Sequence, residues 1–549
     1  MFGYGPVGVW ERVGVVRAPH PGWNRAMTPP SQASPDRPAP VTVSTGPVDP
    51  GDVVTVARHG AGAHLSDEAL AAIARAREAV EALAASPEPV YGVSTGFGAL
   101  ATRHIPEEKR AQLQRSLVRS HAAGSGPEVE REVVRALMLL RLSTLATGHT
   151  GVRRETAELL AALLTHGITP VVHEHGSLGC SGDLAPLAHC ALALMGEGPV
   201  HRADGSLTDA ATALAEAGLA PVELAAKEGL ALVNGTDGML GMLLLALHDL
   251  ENLLLVADVA AAMSVEAQLG TDRVFAEDLQ ALRPHPGQAL AAANLRRILA
   301  DSPVVASHRG PDCTRGQDAY SLRCSPQVHG AARDTCAHAR TVAERELASA
   351  IDNPVVMDDG RVESNGNFHG APVGYVLDFL AIAAADVASI SERRTDRFLD
   401  KARNAGLPPF LADDPGVDSG HMIAQYTQAA IVSELKRLAV PASVDSIPSS
   451  AMQEDHVSMG WSAARKLRRS VDGLSRVLAV EVLTAARALD LRAPLEPSPA
   501  TGAVRALLRE TVPGPGPDRH LAPEIEHVVG LVSSGVLART VRDTIGELS

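Results

Sequence analysis

Aromatic side chains are scarce in this chain: three Trp, five Tyr and seven Phe make up 3% of 549 residues. The apolar share of 45% is nevertheless ordinary for a globular protein. Alanine and leucine supply most of it, which favours helices over sheets. Cysteine is sparse too. The five copies, at 180, 190, 313, 324 and 336, are odd in number and show no CxxC spacing. That argues against a disulfide framework or a zinc knuckle and suits a reducing cytoplasm. A basic excess is also missing. With 64 acidic against 49 basic residues the formal net charge is −15, which argues against nucleic acid or an anionic membrane as partner. The opening MFGYGPVGVWERVGVVRAP has no basic start followed by an apolar block, so it does not read as a secretory signal. Apolar runs such as 239–248 are short and flanked by Asp237 and Asp249, so no membrane span is expected.

What is present divides the chain into four parts. Residues 1–42 hold eight prolines and little periodicity and read as a disordered extension, with Met27 an alternative start. Residues 43–236 form an N-terminal region, 237–498 a central long-helix bundle, and 499–549 a short helical C-terminal segment. The run 41–57, VTVSTGPVDPGDVVTVA, looks β-like. Ser66 then caps a helix with Ala69, Ile73, Ala76, Val80 and Leu83 on one face. Further helical runs cover 107–121 and 129–146. Three stretches, 238–269, 373–403 and 460–492, contain no proline over more than thirty residues each. At ~1.5 Å per residue each reaches roughly 45 Å, the proportions of a long bundle. The fold class is mainly α.

The chemically odd stretch is Gly179-Cys180-Ser181-Gly182-Asp183. It is not the G-x-S-x-G turn of a serine hydrolase, and the surrounding chain is helical. A reactive cysteine would need a nearby base or positive charge, and only Asp183 is adjacent. It suits a Gly/Ser loop ending in an Asp cap, with Pro186 in the first helical turn. A further possibility is internal. If Gly182 lets the backbone bend sharply, its nitrogen can attack the carbonyl carbon of Cys180 and close a five-membered ring. Loss of water from the ring and from Ser181 then leaves an exocyclic methylene, a backbone-derived electrophile. A helix starting at or just after Asp183 points its positive end at that ring.

GSLGCSGDLAPLAH resembles the signature of the aromatic amino acid ammonia-lyases, whose prosthetic group is methylidene-imidazolone (MIO). The blocks YGVSTGFG, LQRSLVRSHAAGSG, KEGLALVNGT, QDAYSLRCSPQVHGA, NGNFHG and PASVDSIPSSAMQEDHVSMG follow in the family's order. The resemblance runs from about Val41 to the C-terminus and is closest to the histidine-specific members. It implies a fumarase/aspartase-like helical architecture and a homotetramer whose sites draw on more than one subunit. It further implies removal of ammonia from L-histidine to give trans-urocanate, the first step of histidine catabolism.

The same resemblance assigns residues. Cys180, Ser181 and Gly182 form MIO, the Cys contributing only backbone, its thiol a bystander; no dissociable cofactor is implied. Tyr91 and Tyr320 act in proton transfer, although an unperturbed phenol titrates near ~10. Arg323, on the face of Tyr320 if 317–323 is helical, grips the substrate carboxylate, assisted by Gln317. Asn234 offers its amide to that carboxylate or to the MIO oxygen, and Phe368 packs beside MIO. His121, after Ser120, meets the substrate imidazole, and Glu454 accepts its N–H; a phenyl ring would leave both unpaired. The alternatives are an MIO-dependent tyrosine or phenylalanine ammonia-lyase, an aminomutase, and a non-catalytic homologue.

Three positions depart from the family's commoner residues: Asp237 for Gln, Met452 for Asn, and His421 for Phe. His173-Glu174-His175 suggests a metal only superficially, because alternate residues do not share a helix face and no third ligand follows at typical spacing. It reads as a solvated approach loop, and no metal is expected.

Overall fold

Alanine- and leucine-rich stretches without proline keep every interior i to i−4 bond and lose little side-chain freedom, so they fold as long helices. The three longest are Asp237–Ala267, Ala371–Leu399 and Gly460–Asp490, of 31, 29 and 31 residues. The computed structural model describes residues 38–86, 90, 92–96, 103–310 and 316–548. The extension 1–37 with Met27, together with Tyr91 and Cys313, lies outside them. From Pro38 onward the chain is one compact unit.

The three long helices pack on one another, and contacts at two levels fix their direction. At the first level a Cβ on Gly370 or on Gly460 would fall 2.6 or 2.7 Å from the Met239 sulfur, so the three N-termini meet there. At the second, Glu481 accepts the hydroxyls of Ser264 and Ser391, each at 2.6 Å, and the Arg394 guanidinium at 2.5 and 2.9 Å. The helices therefore run parallel, clamped by a fully buried ion pair. Removing one partner of such a pair costs roughly 3–5 kcal/mol, because the other charge is left stranded. Helix Ser325–Leu347 runs the other way. Its Ser325 hydroxyl meets Arg394 at 3.3 Å, and its Glu346 accepts from Thr236 at 2.5 Å at the opposite end.

Helices Asp237–Ala267 and Ala371–Leu399 are long and apolar enough to cross a membrane by length and composition, contrary to the shortness expected of the apolar runs. Asp237 belongs to the helix rather than stopping it. In the fold both are core helices, with buried Asp258, Glu266, Asp378 and Arg394 engaged by side-chain partners.

Nearer the N-terminus the β-like reading of 41–57 holds only for strand Val41–Val43. Asp49 accepts from Gly51 N and Pro50 takes the first helical position, so Pro50–Arg58 winds as a helix despite its valines. Helix Asp67–Ala84 is capped by Ser66 and buries Ala69, Ile73, Ala76 and Val80 as expected. Strand Ser125–Glu128 pairs antiparallel with strand His173–His175. The HEH motif is thus a strand and not a solvated loop. Glu174 is buried between Arg465 and Arg469.

Candidate active site

The strand His173–His175 delivers the chain into the GCSGD loop, and the three convergent helix N-termini hold that loop. Ser458 Oγ donates to the Gly179 carbonyl at 2.8 Å, Met459 N to that of Leu178 at 2.9 Å, and Gly370 N reaches Gly179 O at 3.5 Å. Asp183 precedes helix Leu184–Leu194 but makes no capping bond to it, contrary to expectation. Its Oδ2 instead accepts the backbone N–H groups of Gly238 and Met239, both at 2.9 Å, and Oδ1 accepts the Ser177 hydroxyl at 2.9 Å. Asp183 therefore caps the long Asp237 helix across the loop. Burial pushes its carboxyl up to about 7 against the pull of these donors. Helix N-termini carry partial positive charge, so the convergence favours negative charge developing at the loop.

Within the loop Gly182 has φ +77° and bridges to Gly235. A Cβ there would fall 2.0 Å from the Gly235 oxygen, so only glycine fits. The Ser181 hydroxyl lies 3.4 Å from Glu454 Oε1, while Oε2 accepts the Ser449 hydroxyl at 2.9 Å. Cys180 is buried, and burial together with the neighbouring Glu454 carboxylate pushes its thiol up to about 12. The thiol is thus a protonated neighbour of the same carboxylate as Ser181.

Glu454 also lies near enough to His121, the last residue of helix Arg110–His121, to act on its charge. Burial lowers the His121 imidazole below its ordinary value, and the Leu117 backbone and the Glu454 carboxylate oppose that shift. The turn presenting Glu454 is left-handed: Ser450, Ala451 and Met452 have φ of 51°, 52° and 69°. Asn234 is buried and donates from Nδ2 to the Asn353 carbonyl at 2.9 Å. Phe368, half-buried, stands two residues before Gly370.

A second group is not brought to Ser181 within one chain. Tyr320 is 72% exposed and begins the short helix Tyr320–Arg323. The helix does not extend back to Gln317, which lies exposed in irregular chain, but Arg323 Cζ stacks 4.7 Å from the Tyr320 ring. Arg323 Nε is buried without a hydrogen-bond partner. The adjoining Ser321 carbonyl accepts from Arg394 at 3.3 Å, deep in the Ala371 helix and far from the Gly370 end. Ser449, Ser458 and Met239 escaped sequence reasoning. The first two lie inside the PASVDSIPSSAMQEDHVSMG block, whose quoted residues were the available signal.

The family profile described as aromatic amino acid lyase matches residues 48–510. This chain belongs to that family. A protein named histidine ammonia-lyase from Streptomyces avermitilis is 66% identical over 510 residues, covering 93% of this chain and 99% of the relative. Among solved structures, tyrosine aminomutase from Streptomyces globisporus superposes with TM-score 0.88 at 39% identity, covering 93% of this chain and all of that one. Histidine ammonia-lyase from Trypanosoma cruzi gives 0.85 at 38% identity, with 92% and 96% covered. The chain is a carbon–nitrogen lyase with a mainly helical fold.

Proposed function

We propose that the chain is a histidine ammonia-lyase, which eliminates ammonia from L-histidine to give trans-urocanate as the first step of histidine catabolism. The observation that carries this is the shared carboxylate: Glu454 lies against Ser181 and near His121, placing an imidazole acceptor beside the reacting loop. A substrate imidazole between His121 and Glu454 keeps its polar atoms paired, whereas a phenyl ring strands both groups. The relatives at high identity carry the same name.

MIO fits the loop by its own residues: Gly182 is free of a Cβ in a left-handed conformation, and the Ser181 hydroxyl faces a carboxylate. Once formed, that group would supply a backbone-derived electrophile that makes the amine a better leaving group. Around it, Asn234 and Phe368 line the substrate, and Arg323 with Gln317 binds its carboxylate. Tyr91 and Tyr320 transfer the β-proton. Because Tyr320 and Arg323 stand away from Ser181 in one chain, the complete site is composite, and the family resemblance makes the working unit a homotetramer. Exposed Tyr375, Phe379 and Ile382, on one stripe of the Ala371 helix, suit burial against another subunit. The sparse cysteines without CxxC spacing suit a cytoplasmic enzyme.

The likeness to a tyrosine aminomutase favours a second reading, in which ammonia is returned to the β-carbon. Incubation with L-histidine, L-phenylalanine and L-tyrosine, followed by ultraviolet absorbance and product mass, separates the two. Urocanate is expected to form from L-histidine and to be absent with Ser181→Ala. Full activity of that variant, or no urocanate from the unaltered enzyme, overturns the proposal.

A further inference from the structure

Gly182 cannot swing away from Cys180 without moving Gly235, whose backbone it touches: a Cβ on Gly182 would also fall 2.3 Å from the Gly235 carbonyl carbon and 2.5 Å from its nitrogen. What lies behind Gly235 therefore decides how firmly Gly182 is held. On that side a Cβ on Gly235 would fall 2.2 Å from Asp237 Oδ2 and 2.8 and 2.9 Å from the Arg141 guanidinium nitrogens. Both side chains are buried, and they face each other, Arg141 Nε to Asp237 Oδ2, at 3.4 Å. Neither of those two atoms has a hydrogen-bond partner. Arg141 is itself immobilised, donating to the carbonyls of Ala231 at 3.3 Å and Ile351 at 2.9 Å and to that of Asn234. All three of these bonds go to backbone carbonyls, two of them in the segment that leads into Gly235.

We propose that Arg141 and Asp237 are positioning residues for ring closure, a charged backstop that presses Gly235 against Gly182 and so brings the Gly182 nitrogen toward Cys180. This rests on the MIO reading above. The step is balanced without oxidant or reductant. The Gly182 nitrogen bonds to the Cys180 carbonyl carbon and its proton passes to the carbonyl oxygen. That oxygen leaves as water with the Ser181 N–H proton, giving a C=N bond. The Ser181 hydroxyl then leaves as a second water with the Cα proton. No new group enters, so the chain's contribution is to hold two backbone atoms together, and effective concentration is what such holding supplies. The attraction between Arg141 and Asp237 survives in a buried site where water cannot screen it.

The backstop also accounts for Asp237 where Gln is commoner. A short carboxylate folds back over Gly235 and draws in Arg141 by charge rather than by a hydrogen bond.

The test follows maturation and not turnover. The full chain is made in cell-free synthesis, and the peptide containing Ser181 is weighed over time for loss of two waters, beside circular dichroism and thermal melting. Asp237→Ala is expected to fold and assemble but to mature about tenfold more slowly, an effect of about 1.4 kcal/mol. Asp237→Asn, which keeps the bulk over Gly235 and an oxygen toward Arg141, is expected to fall in between. Maturation of a folded Asp237→Ala at the unaltered rate overturns the proposal. If Asp237→Ala does not fold, Asp237→Asn decides: slowing of about threefold or more supports the backstop, and an unchanged rate overturns it. Loss of two waters in the unaltered chain without urocanate formation would count against the histidine reading alone.

Discussion

Ser181 and Tyr320 stand at opposite ends of the helix bundle of a single chain. Asp183, beside Ser181, caps the first turn of helix Asp237–Ala267, while Asp318, beside Tyr320, holds Thr271 N at 2.7 Å just past its last. A helix of 31 residues is about 46 Å long, so the two cannot serve one substrate within a chain. The composite site proposed above follows from this separation: Tyr320 and Arg323 would serve the loop of another subunit.

Complementation between subunits follows from that separation. Ser181→Ala and Tyr320→Phe are each expected to be nearly inactive alone. Chains carrying one change each, unfolded and reassembled together, are expected to recover urocanate formation at roughly a quarter of sites, the chance that an intact loop meets an intact Tyr320. Mixed tetramers verified by native mass spectrometry but devoid of activity would sink the composite site.

In the proposed function, selectivity lies with the Glu454 carboxylate, which meets Ser181 and lies near His121. Glu454→Gln keeps an acceptor but loses the charge, so kcat/KM for L-histidine is expected to fall by about a hundredfold, a loss of about 2.7 kcal/mol. His121→Leu is expected to lower L-histidine turnover similarly while raising the ratio of L-phenylalanine to L-histidine turnover, because an apolar wall no longer penalises a phenyl ring. Unchanged substrate ratios in both variants would show that recognition lies elsewhere.

The long bundle was legible in the sequence because its signal is local: proline-free apolar stretches keep their helical bonds whatever surrounds them. The GCSGD loop was legible through its neighbours in the chain. The direction of Asp183 was not, since its choice between its own helix and the Asp237 helix depends on which N–H groups tertiary packing brings closer. The same holds for Glu174, whose burial is set by Arg465 and Arg469, nearly three hundred residues away. Valines at 53, 54 and 56 suggested a strand, yet a capping Asp and a first-turn proline outweighed their weak preference.

Met452 is a departure that costs stability. It holds φ 69° after two further left-handed residues, a conformation that a non-glycine side chain resists by roughly 1–2 kcal/mol and that Asn tolerates better. Met452→Asn is therefore expected to stabilise the protein by about 0.5 kcal/mol and raise the melting temperature by about 1 °C. Met452 is also 67% exposed, so little packing is lost by the change. A lowered melting temperature would mean that the side chain has contacts in the assembled enzyme that outweigh its backbone strain.

His421 ties stability to pH. It is 2% exposed and its Nδ1 meets the Thr484 hydroxyl at 3.1 Å. Burial, with Arg487 and Arg519 nearby, lowers its imidazole to about 3. The unfolded side chain titrates near ~6.5, so above that value neither state binds a proton and the histidine has no pH-dependent effect. Between ~6.5 and the folded value the unfolded chain takes up a proton that the native chain refuses, and stability falls as pH falls. His421→Phe removes the group and with it this slope. The difference in melting temperature, unaltered minus variant, is expected to drop steadily from pH 7 to pH 4 in scanning calorimetry. Asp183, whose raised carboxyl contributes a slope of opposite sign in the acid range, is common to both proteins and cancels in that difference. A difference that stays flat with pH would show that His421 takes up its proton in the folded state after all.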